Sequence, residues 1–158
     1  MSELFENPMA YIGDKWEDIY KKLCKNEDSG ISSVFDQMTS LFTLCASIGH
    51  LNQTSKKLEK SKGIFRWSNL NQEREVSVLT AIAWDSQGRD LSVLENKKRI
   101  MELACDYAEA GMQYLYDNFF EDHMHDGQLG RIDKLDVEFN LAQILEGLRQ
   151  KQQNVFDL

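Results

Sequence analysis

Proline is almost missing from this chain: Pro8 is the only one among 158 residues. Proline removes a helical donor and clashes with the preceding turn, so its scarcity suits a protein dominated by helices with short connections. Positive charge is also in short supply, with 18 Lys and Arg against 26 Asp and Glu, a formal net charge of −8 and a pI near 4.9. That balance excludes the diffuse positive field on which non-specific nucleic-acid binding relies, so any DNA contact has to be local. No apolar run approaches the roughly 18 residues of a membrane-crossing helix, and no membrane association is expected. The start, Met1-Ser-Glu-Leu-Phe-Glu, lacks the basic stretch and apolar block of a secretion signal. Cysteine is limited to Cys24, Cys45 and Cys105, odd in number, far apart and set in apolar helical patterns. That fits reduced core thiols in a cytoplasmic protein better than a disulfide framework.

Several chemistries are excluded by missing motifs. There is no Gly-x-Ser-x-Gly elbow, no cysteine beside a histidine that would favour its thiolate, and no Gly-Lys-Ser phosphate cradle. Ser61-Lys-Gly has the wrong order for the last of these. Acid pairs such as Asp85 with Asp90, or Glu102 with Asp106, have spacings ordinary for solvated helix faces. No cofactor is expected.

The residues that are present, 42% hydrophobic and 10% aromatic, suffice for one core, and residues 1–158 read as one domain. Trp16, Ile19, Tyr20 and Leu23 recur at helical spacing behind Asp14, a candidate N-cap. A second helix is predicted from Ser32 or Ser33, with Ile31, Val34, Phe35, Met38, Leu41, Phe42, Cys45 and Ile48 as its stripe and Gly49 as a left-handed terminator. A third is capped by Asn69 or Asn71 and turns Val76, Leu79, Ile82 and Ala83 inward, ending at Gln87-Gly88. After the bridge Asp90–Leu94 a long central helix is predicted over 95–120, and a last one over 132–152 with Leu135, Phe139, Ala142, Leu145 and Leu148 along one side. The expected fold class is therefore mainly α: a bundle of about five helices. A minor extended or β element is expected near residues 63–68, where Ile64-Phe-Arg-Trp67 reads as a small strand, a hairpin arm or a strap over helices.

Four segments together resemble a known family: Ser32 to Ile48, Gly63-Ile-Phe-Arg-Trp-Ser-Asn-Leu70, Glu75-Val-Ser-Val-Leu-Thr-Ala-Ile-Ala83 and Asp106-Tyr-Ala-Glu-Ala-Gly-Met-Gln-Tyr-Leu115. In order and type they are similar to the small accessory protein number four of DNA phosphorothioation (Dnd) systems. The chain departs from that pattern at His50-Leu-Asn-Gln-Thr-Ser, where an arginine-containing basic tail would stand, and in its longer acidic C-terminal part. The resemblance implies a role beside bacterial DNA sulphur modification and the restriction of unmodified DNA, in phage defence, and brings no catalytic residues with it.

Two segments offer candidate sites. The first joins Lys56, Lys57, Lys60 and Lys62 to Phe65, Arg66 and Trp67, in a stretch whose only acid before Ser61 is Glu59. Lysines that offset phosphate charge next to a ring that stacks on a base are the ingredients of a nucleic-acid contact. The same patch would equally dock an acidic surface of a partner protein, which needs no compensation for the net charge, and the rings would equally serve to anchor the loop. The second is Glu121-Asp-His-Met-His-Asp126, where His123, His125 and Asp126 are candidate ligands for zinc or another divalent ion. A two-residue histidine spacing serves a metal only if the backbone turns there. A non-enzymatic adaptor or regulator that contacts other proteins of the modification and restriction system is the leading expectation. A DNA-binding accessory using residues 56–67 and a metal-dependent enzyme at 121–126 are the alternatives, and the oligomeric state is left open.

Overall fold

The computed structural model describes residues 6–24 and 34–156. Among them are five α-helices: α1 (Glu17–Leu23), α2 (Met38–Leu51), α3 (Glu75–Ser86), α4 (Lys97–Asn118) and α5 (Lys134–Phe156). Two small antiparallel sheets accompany them, β1 (Met9–Gly13) with β2 (Ser61–Arg66), and β3 (Met124–His125) with β4 (Gln128–Leu129). The mainly helical expectation holds, and the extended run near 63–68 is a strand whose partner, Met9–Gly13, carries no strong pattern of its own.

The centre of the molecule is the antiparallel crossing of α2 on α4. Its closeness rests on two glycines, one per helix. A Cβ at Gly111 would stand 1.7 Å from the Cys45 carbonyl oxygen, and one at Gly49 would stand 2.1 Å from that of Tyr107. With no side chain at either position the two backbones touch, and Leu41, Phe42, Cys45, Ile48, Ala104, Ala108 and Leu115 close a dry core around them. Gly49 is thus not the helix terminator expected from its position. The helix runs on to Leu51, and the left-handed residue after it is Gln53, with φ of 54°.

Other boundaries shift for local reasons. Helix α2 begins at Met38, because Phe35 instead pairs with Cys24 in a parallel bridge. Ile31, Ser32 and Ser33 lie outside the described residues. Asp14 does not cap α1 but sits in a 3-10 turn, Asp14–Trp16, that leads into it. Before α3, Asn71 is the capping side chain: its Oδ1 accepts from the Arg74 amide at 2.8 Å, while Glu75 reaches back to the Asn71 amide at 2.8 Å. Asn69 closes the 3-10 turn after β2 by accepting from the Arg66 amide. Asp90 and Asn96 cap the 3-10 turn Leu91–Glu95 and α4.

Helix α5 departs furthest from expectation. Val137, Leu141 and Leu148 face the core, while Leu135, at 77% exposure, and Phe139, at 63%, point the other way. The expected stripe joined residues from both sides of the helix. The side that is buried is the one that docks near the end of α2, where Gln152 donates to the Leu51 carbonyl.

Candidate functional site

Strand β1 lies between β2 and α4, and α4 serves its outer edge with side chains. The Tyr11 amide donates to Cys105 Sγ at 3.3 Å and the Gly13 amide to Glu109 Oε2 at 3.1 Å. The match is geometric: amides two apart on one strand edge are separated by roughly 6.7 Å, and side chains four apart on a helix by about 6 Å. The other Glu109 oxygen accepts from Trp16 Nε1 at 3.1 Å. Glu109 is 5% exposed, and its carboxylate is held by these two donors. Glycine at position 13 leaves room for this contact: a Cβ there would meet Glu109 Oε1 at 2.7 Å, and the carboxylate would have to shift.

The lysine segment between α2 and β2 is tied over this arrangement. The Lys56 amide donates to the Asp106 carbonyl at 2.9 Å, and the Asp14 amide to the Lys60 carbonyl at 2.8 Å. Lys57 Nζ pairs with Asp106 Oδ2 at 3.1 Å. Lys56 Nζ and Lys15 Nζ both approach Gln113 Oε1, at 3.5 and 3.4 Å. Two ammonium groups therefore converge on a neutral amide oxygen. Lys62 belongs to β2, opposite Ile12.

Two cavities open beside this segment, with Lys57 lining both. The larger, about 590 Å³, lies between β1 and α4. Met9, Tyr11, Leu58, Met101 and Cys105 give it apolar walls, and Lys98 and Arg99 join its rim with Glu102 and Asp106. The smaller, about 310 Å³, is lined by Lys15, Lys56, Lys57 and Lys60 together with Asp14, Glu59 and Glu109. Among the described residues, Lys15, Lys56, Lys60 and Lys98 form no ion pair, whereas Lys57 pairs with Asp106 and Arg99 with Glu102.

The aromatic members of the expected patch are elsewhere. Phe65 is buried and meets Phe42 edge-on, with ring centroids 5.1 Å apart. Trp67 is 5% exposed, its amide donates to the Pro8 carbonyl, and Lys97 lies over its ring at 5.9 Å. Neither ring offers a face on which a base could stack, so both act as anchors for β2. Arg66 is exposed and donates to the Asn7 carbonyl at 3.1 Å. What remains accessible is cationic, with Tyr11, 44% exposed, on the wall of the larger cavity. Lys15 and the run Lys97-Lys98-Arg99, which sequence reasoning left out, join it; the only advance signal was that basic triplet at the start of a long helix.

The histidine segment forms a hairpin. Asp126 and Gly127, with φ of 52° and 78°, make the turn between β3 and β4. His123 packs on Phe119 at 4.9 Å between centroids. Among the described residues no three His, Cys, Asp or Glu side chains are grouped to hold a metal ion, so His123, His125 and Asp126 do not assemble into a ligand set. The three thiols are buried, and burial pushes Cys24 and Cys45 up to about 12 and Cys105 to about 11, away from nucleophilic use. No helix is long and apolar enough to cross a membrane among the described residues.

A family model described as DNA sulphur modification system-associated protein 4 matches residues 12–132, from within β1 to just before α5. No curated protein and no solved structure matches the chain.

Proposed function

Since the chain belongs to the family of DNA sulphur modification system-associated protein 4, we propose that it is a non-enzymatic adaptor that holds other protein components of such a system, including its restriction and phage-defence arm. The contact surface is the lysine segment with its two flanking cavities, and the setting is the cytoplasm. One observation carries this reading: on a protein of net charge −8, Lys15, Lys56, Lys60 and Lys98 are gathered around two adjoining cavities with no ion pair among the described residues. Cations with no ion pair among the described residues favour a contact supplied from outside.

DNA binding through the same lysines is the second reading, favoured by the convergence of Lys15 and Lys56 on Gln113. It is the weaker because Glu102 and Asp106 stand on the rim and the Phe65 and Trp67 rings are buried.

Co-purification from a host carrying the whole operon tests the first reading. The wild-type chain should recover a companion protein, and the variant with Lys15, Lys56, Lys57 and Lys60 all changed to Glu should not. Equal recovery by both chains, or recovery of nothing by the wild type, would count against it.

A further inference from the structure

Resting on the adaptor reading, we propose that the double cavity receives one extended segment of a partner protein in which a bulky apolar side chain is flanked by Asp or Glu. The apolar residue enters the larger cavity against Met9, Tyr11, Met101 and Cys105. The acidic residue lies past Lys57 in the smaller cavity, where Lys15, Lys56 and Lys60 surround it.

The chemistry of the two compartments selects this occupant. A volume of about 590 Å³ with thioether, thiol and phenol walls takes a large side chain, and Met9 and Met101 adapt to its shape. The neighbouring compartment has the opposite character. Its deepest acid, Glu109, is already engaged by Gly13 and Trp16, so it offers the nearby lysines little surface to pair with. Asp14 and Glu59 remain against Lys15, Lys56, Lys57 and Lys60; Lys56 Nζ meets a neutral amide, and Lys15 Nζ meets the same amide and the Trp16 ring, 4.6 Å from its centroid. An incoming carboxylate relieves that convergence.

Strand addition is not the mode of recognition. The outward amides of Tyr11 and Gly13 are taken by Cys105 and Glu109, so the edge of β1 has no donors there for a guest backbone. Recognition falls to side chains, which makes the sequence of the guest decisive. A nucleic-acid strand fits less well, because Glu6, Glu102 and Asp106 line the larger compartment and would repel successive phosphates, while a single carboxylate beside an apolar group avoids them.

The test is selection from a random peptide display library on the folded full-length chain, run in parallel on two variants. One carries Lys15→Glu, Lys56→Glu and Lys60→Glu, and the other carries Met9→Asp. Circular dichroism and thermal melting establish that both variants fold. Wild-type selection should enrich peptides with Asp or Glu within two or three positions of Phe, Leu, Trp or Met, and a labelled representative should bind each variant at least tenfold more weakly. Enriched peptides without acids, binding unchanged in either variant, no enrichment at all, or displacement of the peptide by a lower concentration of duplex DNA would each overturn the proposal. Companion recovery that is lost with the lysines while selection yields no acidic-apolar motif would sink this inference and leave the adaptor reading standing.

Discussion

The Glu109 carboxylate accepts from the Gly13 amide and from Trp16 Nε1, both at 3.1 Å, so a buried acid of the central helix ties a strand edge and an indole together. Replacing it with leucine leaves both donors buried without a partner. Glu109→Leu should cost about 2–4 kcal/mol, the desolvation of two orphaned N–H groups. Glu109→Gln keeps one acceptor and turns an amide group toward the other donor, at a cost of about 1–3 kcal/mol. Urea unfolding followed by tryptophan fluorescence reads both. A change below 0.5 kcal/mol on either scale, roughly the noise of surface substitutions, would show that the pairing contributes little.

Gly111 and Gly49 let α2 and α4 meet. Gly111→Ala puts a methyl 1.7 Å from the Cys45 carbonyl oxygen and should destabilise by more than about 3 kcal/mol, since backbone rather than a flexible side chain has to move. Gly147→Ala on α5 meets nothing within 4 Å and should stabilise by about 0.5–1 kcal/mol through helix propensity. Thermal melting of the two variants should shift in opposite directions.

His50 and Asp85 tie the end of α2 to the end of α3 at 2.8 Å. The His50 hydrogen bond, helped by Arg89, holds the Asp85 carboxyl below its ordinary value. A depressed carboxyl contributes stability that is present above its unfolded value of 3.8 and is lost as pH falls through the lower folded one. Asp85 is about half exposed, so the contribution is expected to be no more than about 0.5–1 kcal/mol after solvent screening. The unfolding free energy should fall further between pH 7 and pH 2 in the wild type than in Asp85→Asn. An identical acid dependence in the two chains would remove the pair from the account.

Trp67 separates anchoring from stacking. Because it is 5% exposed, Trp67→Ala should lower stability by about 3–5 kcal/mol, as for other large-to-small core changes. A variant that melts like the wild type yet loses affinity for single-stranded DNA would place the ring at a surface and revive the stacking reading.

The third helix was legible from its apolar stripe behind a candidate cap at Asn69 or Asn71, of which Asn71 is the one used, whereas the caps Asp90 and Asn96 were not read in advance. Boundaries failed where a residue had a tertiary task. Gly49 looks like a terminator in isolation, and only the Tyr107 backbone against it explains why the helix passes through. Phe35 fits a helical stripe but is taken by a bridge to Cys24. Helix α5 carries apolar residues on two faces, and periodicity alone does not say which side docks. Strand β1 was missed because Met9-Ala-Tyr-Ile-Gly13 is made a strand by β2 and α4 rather than by its own pattern. For the site, the lysines were visible as a run, but the inward turn of Phe65 and Trp67 and the arrival of Lys15, Lys98 and Arg99 depend on contacts remote in sequence.

The most direct measurement is site-specific photo-crosslinking in a host carrying the intact operon, with the photoreactive residue at Ser61, which is exposed beside the larger cavity, and in a control chain at Gln143 on α5. The account predicts a covalent adduct to a companion protein from position 61, reduced when Lys15, Lys56 and Lys60 are changed to Glu, and none from position 143. Adducts from position 143 alone, or adducts from position 61 to DNA and to no protein, would contradict it.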